Sequence, residues 1–314
     1  MSQRRFRLAS PAVAGVFICA VLAGCAAPQT AHLALHWPTT LPARAELVNT
    51  PFIPQEDYEC GPAALAMVLQ AAGLPVTAEE LVSEVYLPGR QGALQVEMLA
   101  ATRRHGLPGY SLKPELNAVL QEVAAGNPVV VFQNLSLPVY PVWHYAVVIG
   151  YDRERQELLL HSGSTPRQAL PLDTFERTWA RGKYWSMVAL SPTRLPATAQ
   201  DDAFAQSVAA LERIDPKAAR TAYTTALNRW PLHRALMLGA GNTAYALGDL
   251  SAAQSAYDAA VQAHRDFADA WNNLAQVLMD RGDRAGASQA IVKAVALGGP
   301  RLSQYLDLQE TIGR

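Results

Sequence analysis

"QEDYECGPAALAMVL", residues 55–69, sets a Gln, a Cys, a Gly and a Pro immediately before an alanine-rich apolar run. Pro62 suits a first helical turn, where its missing N–H would have had no partner. Leu65, Val68, Leu69 and Ala72 then fall on one face, and Gly73 stops the run. Cys60 therefore stands at a helix N-terminus. Unpaired N–H groups and the positive end of the helix dipole favour a thiolate there, which predicts a lowered thiol pKa. Gly61, without a side chain, would let a substrate backbone come close.

What precedes this helix sharpens the question of its thiol. Residues 1–24 read as a signal peptide, with Arg4, Arg5 and Arg7 as the positive end and PAVAGVFICAVLAG as an apolar segment too short to span a bilayer comfortably. LAGC, ending at Cys25, resembles the processing site of bacterial lipoproteins and implies cleavage before Cys25, with lipid on its sulfur. Residues 25–47 are rich in Ala, Pro and Thr without sustained periodicity, which predicts a tether from lipid to folded domain. The chain has three cysteines, of which Cys19 leaves with the signal and Cys25 is lipidated. Cys60 then has no disulfide partner, and an unpaired thiol in an exported chain is either shielded or reactive. Charge names no partner: 26 basic and 27 acidic residues are interspersed, so neither a nucleic-acid-binding stripe nor an acidic cation store is present.

After the first helix, Thr77 and Glu80 form a capping-box pattern for a second, and LQVEMLAATRRHG and PELNAVLQEVAAG predict two more, each closed by Gly. The period then changes. PVVVFQN, HYAVVIGYD, ELLLHSG and KYWSMVAL are short, β-branched or aromatic, and separated by turn residues, which predicts strands. Helices first and an antiparallel sheet second make an α+β domain over residues 48–191, with SPTRLPATAQDD marking a break and residues 192–199 a linker.

Beyond the break the sequence repeats. Ala219, Ala253 and Ala287 recur at intervals of 34, as do Tyr223, Tyr257 and Ile291, and Ala226, Ala260 and Ala294. That period is the tetratricopeptide one. It predicts an all-α array over 200–314, with repeats at about 200–233, 234–267 and 268–301 and a capping helix after them. Such arrays bind peptides or proteins and do no chemistry, and nearest-neighbour stacking predicts that this one folds as a separable unit.

A thiolate nucleophile needs a general base from another element. Of seven histidines, His144 opens the strand WHYAVVIGYD and is the better candidate than His161, further along in LLLHSGS. CGPAALAMVL preceded by Gln, with HYAVVIGYD roughly 80 residues later, resembles the bacteriocin-processing, double-glycine-leader cysteine peptidases, a papain-like group. The resemblance covers about residues 48–191 and implies a papain-like fold, Cys60 as nucleophile, His144 as base and Gln55 as oxyanion donor. Two departures stand out. The family's Gln commonly sits six residues before the Cys, and Gln55 sits five before Cys60. The family's Asp-Pro, about 16 residues after the His, is replaced by LLLHSGS, which leaves Ser162 or His161 as the orienter; a protonated His161 would repel the imidazolium of His144.

The sequence thus reads as a membrane-tethered cysteine peptidase acting on a peptide or protein, with repeats that recruit substrate or partner and no cofactor. The outer membrane, facing the periplasm, is the expected place, because Ala26 follows Cys25 where some Gram-negative lipoproteins retained at the inner membrane carry Asp. Two alternatives use the same residues: a weak or inactive peptide-binding scaffold, pointed to by the absent acidic orienter, and a thiol-dependent peptidyl transferase. A metal site built from Cys60, His144 and His161 lacks the close-spaced ligand pairs such sites use.

Overall fold

The computed structural model describes residues 27–55 and 59–314. The signal segment and Cys25 lie outside the described residues. In chain order come α1 (Pro28–Leu35), β1 (Arg44–Glu46), α2 (Cys60–Ala71), α3 (Ala78–Val85), β2 (Tyr86–Leu87), β3 (Gly92–Ala93), α4 (Gln95–Arg104), β4 (Gly109–Ser111) and α5 (Leu116–Ala124). There follow β5 (Val129–Asn134), β6 (Trp143–Asp152), β7 (Glu157–Ser162), β8 (Thr165–Pro171), α6 (Leu172–Arg181) and β9 (Ser186–Ala189). An antiparallel seven-stranded sheet runs β4–β9–β5–β6–β7–β8, and β1 takes up the Asp152 end of β6.

Strand alternation sorts the sheet's side chains into two cores. Val130, Tyr145, Val147, Ile149 and Met187 face α2, whose residues from Ala63 to Leu69 are all buried. Each fully buried Leu or Met there contributes about 1.5–3 kcal/mol, which is why α2 is apolar all round rather than on one face. Val129, Val131, Ala146, Val148 and Val188 face the opposite way, against α5 and α6. The capping box of Thr77 and Glu80 is formed, with Glu80 N–H donating to Thr77 Oγ1 at 3.2 Å.

The stretch expected to be a tether is folded from Ala27 onward. An eight-residue helix is marginal alone. Here the buried Glu176 carboxylate of α6 accepts the N–H groups of Gln29 and Thr30 at 2.9 and 2.6 Å and so caps α1. β1 is then tied to the sheet by its pairing with β6 and by Arg167, which grips the Glu46 carboxylate with two nitrogens.

The second half stacks helices in pairs: α7 (Asp201–Glu212) with α8 (Pro216–Arg229), α9 (Arg234–Ala246) with α10 (Leu250–Ala263), and α11 (Ala268–Asp280) with α12 (Arg284–Leu297), closed by α13 (Leu302–Gly313). The alanine columns are buried at the helix contacts. The rings of Tyr223 and Tyr257 lie where side chains at Gly239 and Gly241 would otherwise stand.

The expectation of a separable array meets a shared core. Phe204, Val208, Leu211 and Tyr223 belong to the same buried cluster as the α5–α6 face of the sheet. The connecting residues 192–199 are docked rather than free. Glu122, fully buried on α5, accepts the N–H groups of Ala197 and Thr198 at 3.1 and 2.8 Å, the Thr198 hydroxyl at 2.6 Å and the Asn127 amide at 2.7 Å. Ser207 Oγ of α7 donates to the Gly109 carbonyl of β4 at 2.8 Å.

Candidate active site

The fold brings Gln55, Cys60, His144, Tyr145 and Gly163 to one cleft of about 920 Å3 at the end of the sheet where β6 begins and β7 ends. Phe132, Trp143 and Tyr145 form an aromatic wall. Trp143 stacks on Phe132 with ring centroids 5.1 Å apart, and Tyr145 packs on Phe132 at 4.7 Å. The segment 90–95 also lines the cleft, held in place where the Tyr145 hydroxyl donates to the Ala93 carbonyl at 3.2 Å.

Cys60 is the first residue of α2, so its own N–H and that of Gly61 are among the helix N–H groups with no carbonyl one turn back. Burial nevertheless pushes its thiol pKa up, and backbone groups of Tyr145, Gly61 and Cys60 itself offset only part of the rise. The sequence led to the opposite expectation, because a helix terminus acts on a thiolate and the neighbouring chain that desolvates it was not in view. Gly61 differs as well. A methyl there would sit 2.5 Å from the Ala93 Cβ, so the glycine admits the cleft's own wall rather than a substrate backbone.

His144 Nε2 lies 2.9 Å from Ser162 Oγ. Burial lowers its pKa to about 4. Around neutrality both Cys60 and His144 are therefore uncharged.

His161 is not part of this constellation. Its Nε2–H donates to the Thr50 carbonyl at 3.2 Å, and its Nδ1 accepts from the Arg167 N–H at 3.2 Å, so both ring nitrogens are spent. Its ring packs edge-on against Phe52 at 5.2 Å. Neighbours on a strand point to opposite faces, and β7 turns Ser162 toward His144 and His161 away from it. The same arrangement leaves Cys60, His144 and His161 unable to converge on an ion. Among the described residues, Asp201, Asp202 and His233 are close enough to share one, on an exposed part of the repeats.

Gln55 is clamped to the turn after β7. Its N–H donates to the Gly163 carbonyl and its Oε1 accepts the Gly163 N–H, each at 3.1 Å. Nε2 donates to the Tyr145 carbonyl at 3.3 Å, which uses one amide hydrogen and leaves the other. Sequence reading did not reach Arg90, Arg181 and Lys183, the cations that line the cleft. Arg90 comes from the turn between β2 and β3, Arg181 and Lys183 from the end of α6 about 90 residues later, and nothing in the sequence links the two places.

Residues 47–187 match the model of the Peptidase_C39 like family, and residues 204–251 and 238–300 match that of the Tetratricopeptide repeat. Among solved structures, a putative C39-like peptidase from Bacillus anthracis is 20% identical, with 48% of this chain and 98% of that one aligned at a TM-score of 0.40. The peptidase domain of Streptococcus ComA, a bifunctional ABC transporter involved in a quorum-sensing pathway, is also 20% identical, with 45% and 99% aligned at 0.38. Among curated proteins nothing matches. A half-buried thiol at the head of an apolar helix, an imidazole at the start of a sheet strand and a stack of 34-residue helical pairs thus resolve into two known modules, and the chain joins a domain of the Peptidase_C39 like family to an array of tetratricopeptide repeats.

Proposed function

We propose that the protein is a cysteine peptidase that cleaves a peptide or protein substrate through Cys60, with His144 as base and the repeats recruiting substrate or partner. The observation that carries this reading is the His144–Ser162 hydrogen bond in the cleft that also holds Cys60. With Nε2–H donating to Ser162 Oγ, the lone pair is at Nδ1, where it can take the thiol proton as sulfur attacks the scissile carbonyl. The tetrahedral oxyanion is met by the free Gln55 amide hydrogen and the N–H groups at the start of α2. Collapse expels the amine, protonated by His144, and water then releases the acyl group from sulfur.

A neutral hydroxyl orients imidazole but does not stabilise its positive charge as a carboxylate does. The uncharged resting pair therefore favours, as a second reading, a slow or inactive domain that holds a peptide without turning it over. Both readings include an anchor: the LAGC sequence supports lipid on Cys25, and no helix among the described residues is long and apolar enough to cross a membrane.

The test is digestion of a peptide library by the full chain, paired with alkylation of Cys60. Cleavage should vanish in Cys60→Ala and fall by about 10²–10³ in Gln55→Ala, the usual effect of removing an oxyanion donor. Cleavage that survives Cys60→Ala would sink the peptidase. Peptide binding without turnover in wild type would favour the scaffold, and amide products with added amines would reveal a transferase.

A further inference from the structure

We propose that the cleft-bearing end of the sheet docks onto a phospholipid bilayer through the β5–β6 loop, residues 135–142. This rests on the anchoring part of the function just proposed. The loop, LSLPVYPV, holds no charged residue. Within it Leu137 is 64% exposed, Val139 75% and Tyr140 79%. These side chains are displayed on a built frame: Leu135 N–H donates to the Val142 carbonyl at 2.9 Å, and Asn134 Oδ1 accepts from the N–H groups of Ser136 and Val142.

The position of the chain's exit supplies the occupant. At the start of α1, Gln29 Nε2 donates to the Pro114 carbonyl, and its Oε1 accepts the N–H of Leu116, the first residue of α5. α5 leads through a short turn into β5 and packs back along it, so the start of α5 lies at the Asn134 end of that strand. At the same end, Arg181 closes α6 by donating to the Asn134 carbonyl at 3.0 Å. Ala27 therefore emerges at the end of the sheet that carries the loop, while β1, after α1, joins the opposite end at Asp152. Two residues from Ala27 to Cys25 span at most about 7 Å, so lipid on Cys25 holds this end at the headgroups.

The loop's chemistry agrees with that placement. Apolar side chains in one loop with Tyr140, next to Trp143, with Arg181 and Lys183 lining the same cleft as Trp143, suit an interface of acyl chains and anionic headgroups. A peptide in the cleft would cover Val142 and Trp143, which line it, but not Leu137, Val139 or Tyr140, which do not. The cleft then opens along the membrane surface, and its substrate is a peptide segment lying on or emerging from the bilayer.

The experiment uses full-length protein carrying Cys60→Ala and one new thiol, Tyr140→Cys on the loop or Gln304→Cys on α13, labelled with an environment-sensitive dye. It is reconstituted in vesicles of phosphatidylethanolamine and phosphatidylglycerol, with and without a nitroxide lipid. The dye at 140 should shift to shorter wavelength and be quenched by the nitroxide, the dye at 304 should do neither, and adding Val139→Asp should reduce the shift at 140. Vesicle-bound protein with a water-like dye at 140 overturns the docking. So does a shift at 140 that a peptide produces without vesicles, since a peptide then covers the loop. The mass of the mature N-terminus reads the anchor separately. Acylated protein with an unshifted dye keeps the anchor and overturns the docking. Protein without acyl mass that binds vesicles and shows the shift keeps the docking and removes the anchor. Protein that carries no lipid and does not bind overturns both.

Discussion

His144 couples the cleft to the stability of the fold. Its pKa is about 4 in the fold, against about 6.5 for an exposed imidazole, so the unfolded chain takes up a proton in the interval where the native chain does not. Stability is complete above about pH 6.5 and is lost as pH falls toward 4, by roughly 3 kcal/mol for such a shift. Denaturant midpoints measured from pH 7 to 4 should show that slope, and His144→Gln should flatten it. Cys60, raised by burial, should be alkylated by iodoacetamide with a midpoint above the ordinary thiol value rather than below it. A midpoint near 7 would mean that the neutral pair is not the resting state. Ser162→Ala should lower turnover and leave substrate affinity unchanged, while His161→Ala should act through stability, since its ring ties Thr50 to Arg167. The sequence named both neighbours as orienters and could not separate them. ELLLHS is apolar through three consecutive positions, so no alternation showed which face either residue takes. Cys60 at a helix start and His144 at a strand start, which the fold brings to one cleft, were legible because both are local signals. Their desolvation is not local, and so it was missed.

At the scale of elements, the parts that escaped the sequence are those stabilised from far away. α1 reads as a tether because PQTAHLAL has little helical pattern of its own, and its cap comes from Glu176, 147 residues on. β8, with Pro166 and Pro171, does not read as a strand, yet it pairs with β7 from Thr165 to Pro171. By contrast α2, the capping box of α3 and the alanine columns of the repeats carry their instructions within a few residues, and they were legible. Glu122 makes a prediction for this scale. Its carboxylate satisfies four donors from the connection and from Asn127, and hydrogen bonds to a buried charge are worth more than neutral ones. Glu122→Ala should therefore cost about 3 kcal/mol, read as a fall in the urea midpoint. A loss below about 0.5 kcal/mol, the range of ordinary surface changes, would show that the connection is held by packing alone.

For the whole molecule, the junction between the two modules decides what can be cut. A fragment beginning near residue 200 would expose Phe204, Val208 and Leu211, which the intact chain buries in one cluster with Tyr110 and Val188 of the sheet. Its first helical pair should exchange amide hydrogens faster than the same pair in the full chain, while α11 and α12 stay protected. Equal protection in both would show that the contact with the sheet adds nothing.

The complementary cut concerns the sheet's two outer strands. β8 guards itself, since two prolines and Arg167 make it a poor template for another chain. β4 is only three residues long and carries no such guard; its shelter is α7, whose Ser207 occupies the Gly109 carbonyl. Without the repeats, that strand would offer an unclaimed carbonyl and the newly bared Tyr110 to its neighbours in solution. A chain ending near residue 191 should accordingly aggregate where the intact protein stays dispersed, with light scattering as the readout, so that the repeats act as a built-in safeguard against strand-to-strand polymerisation.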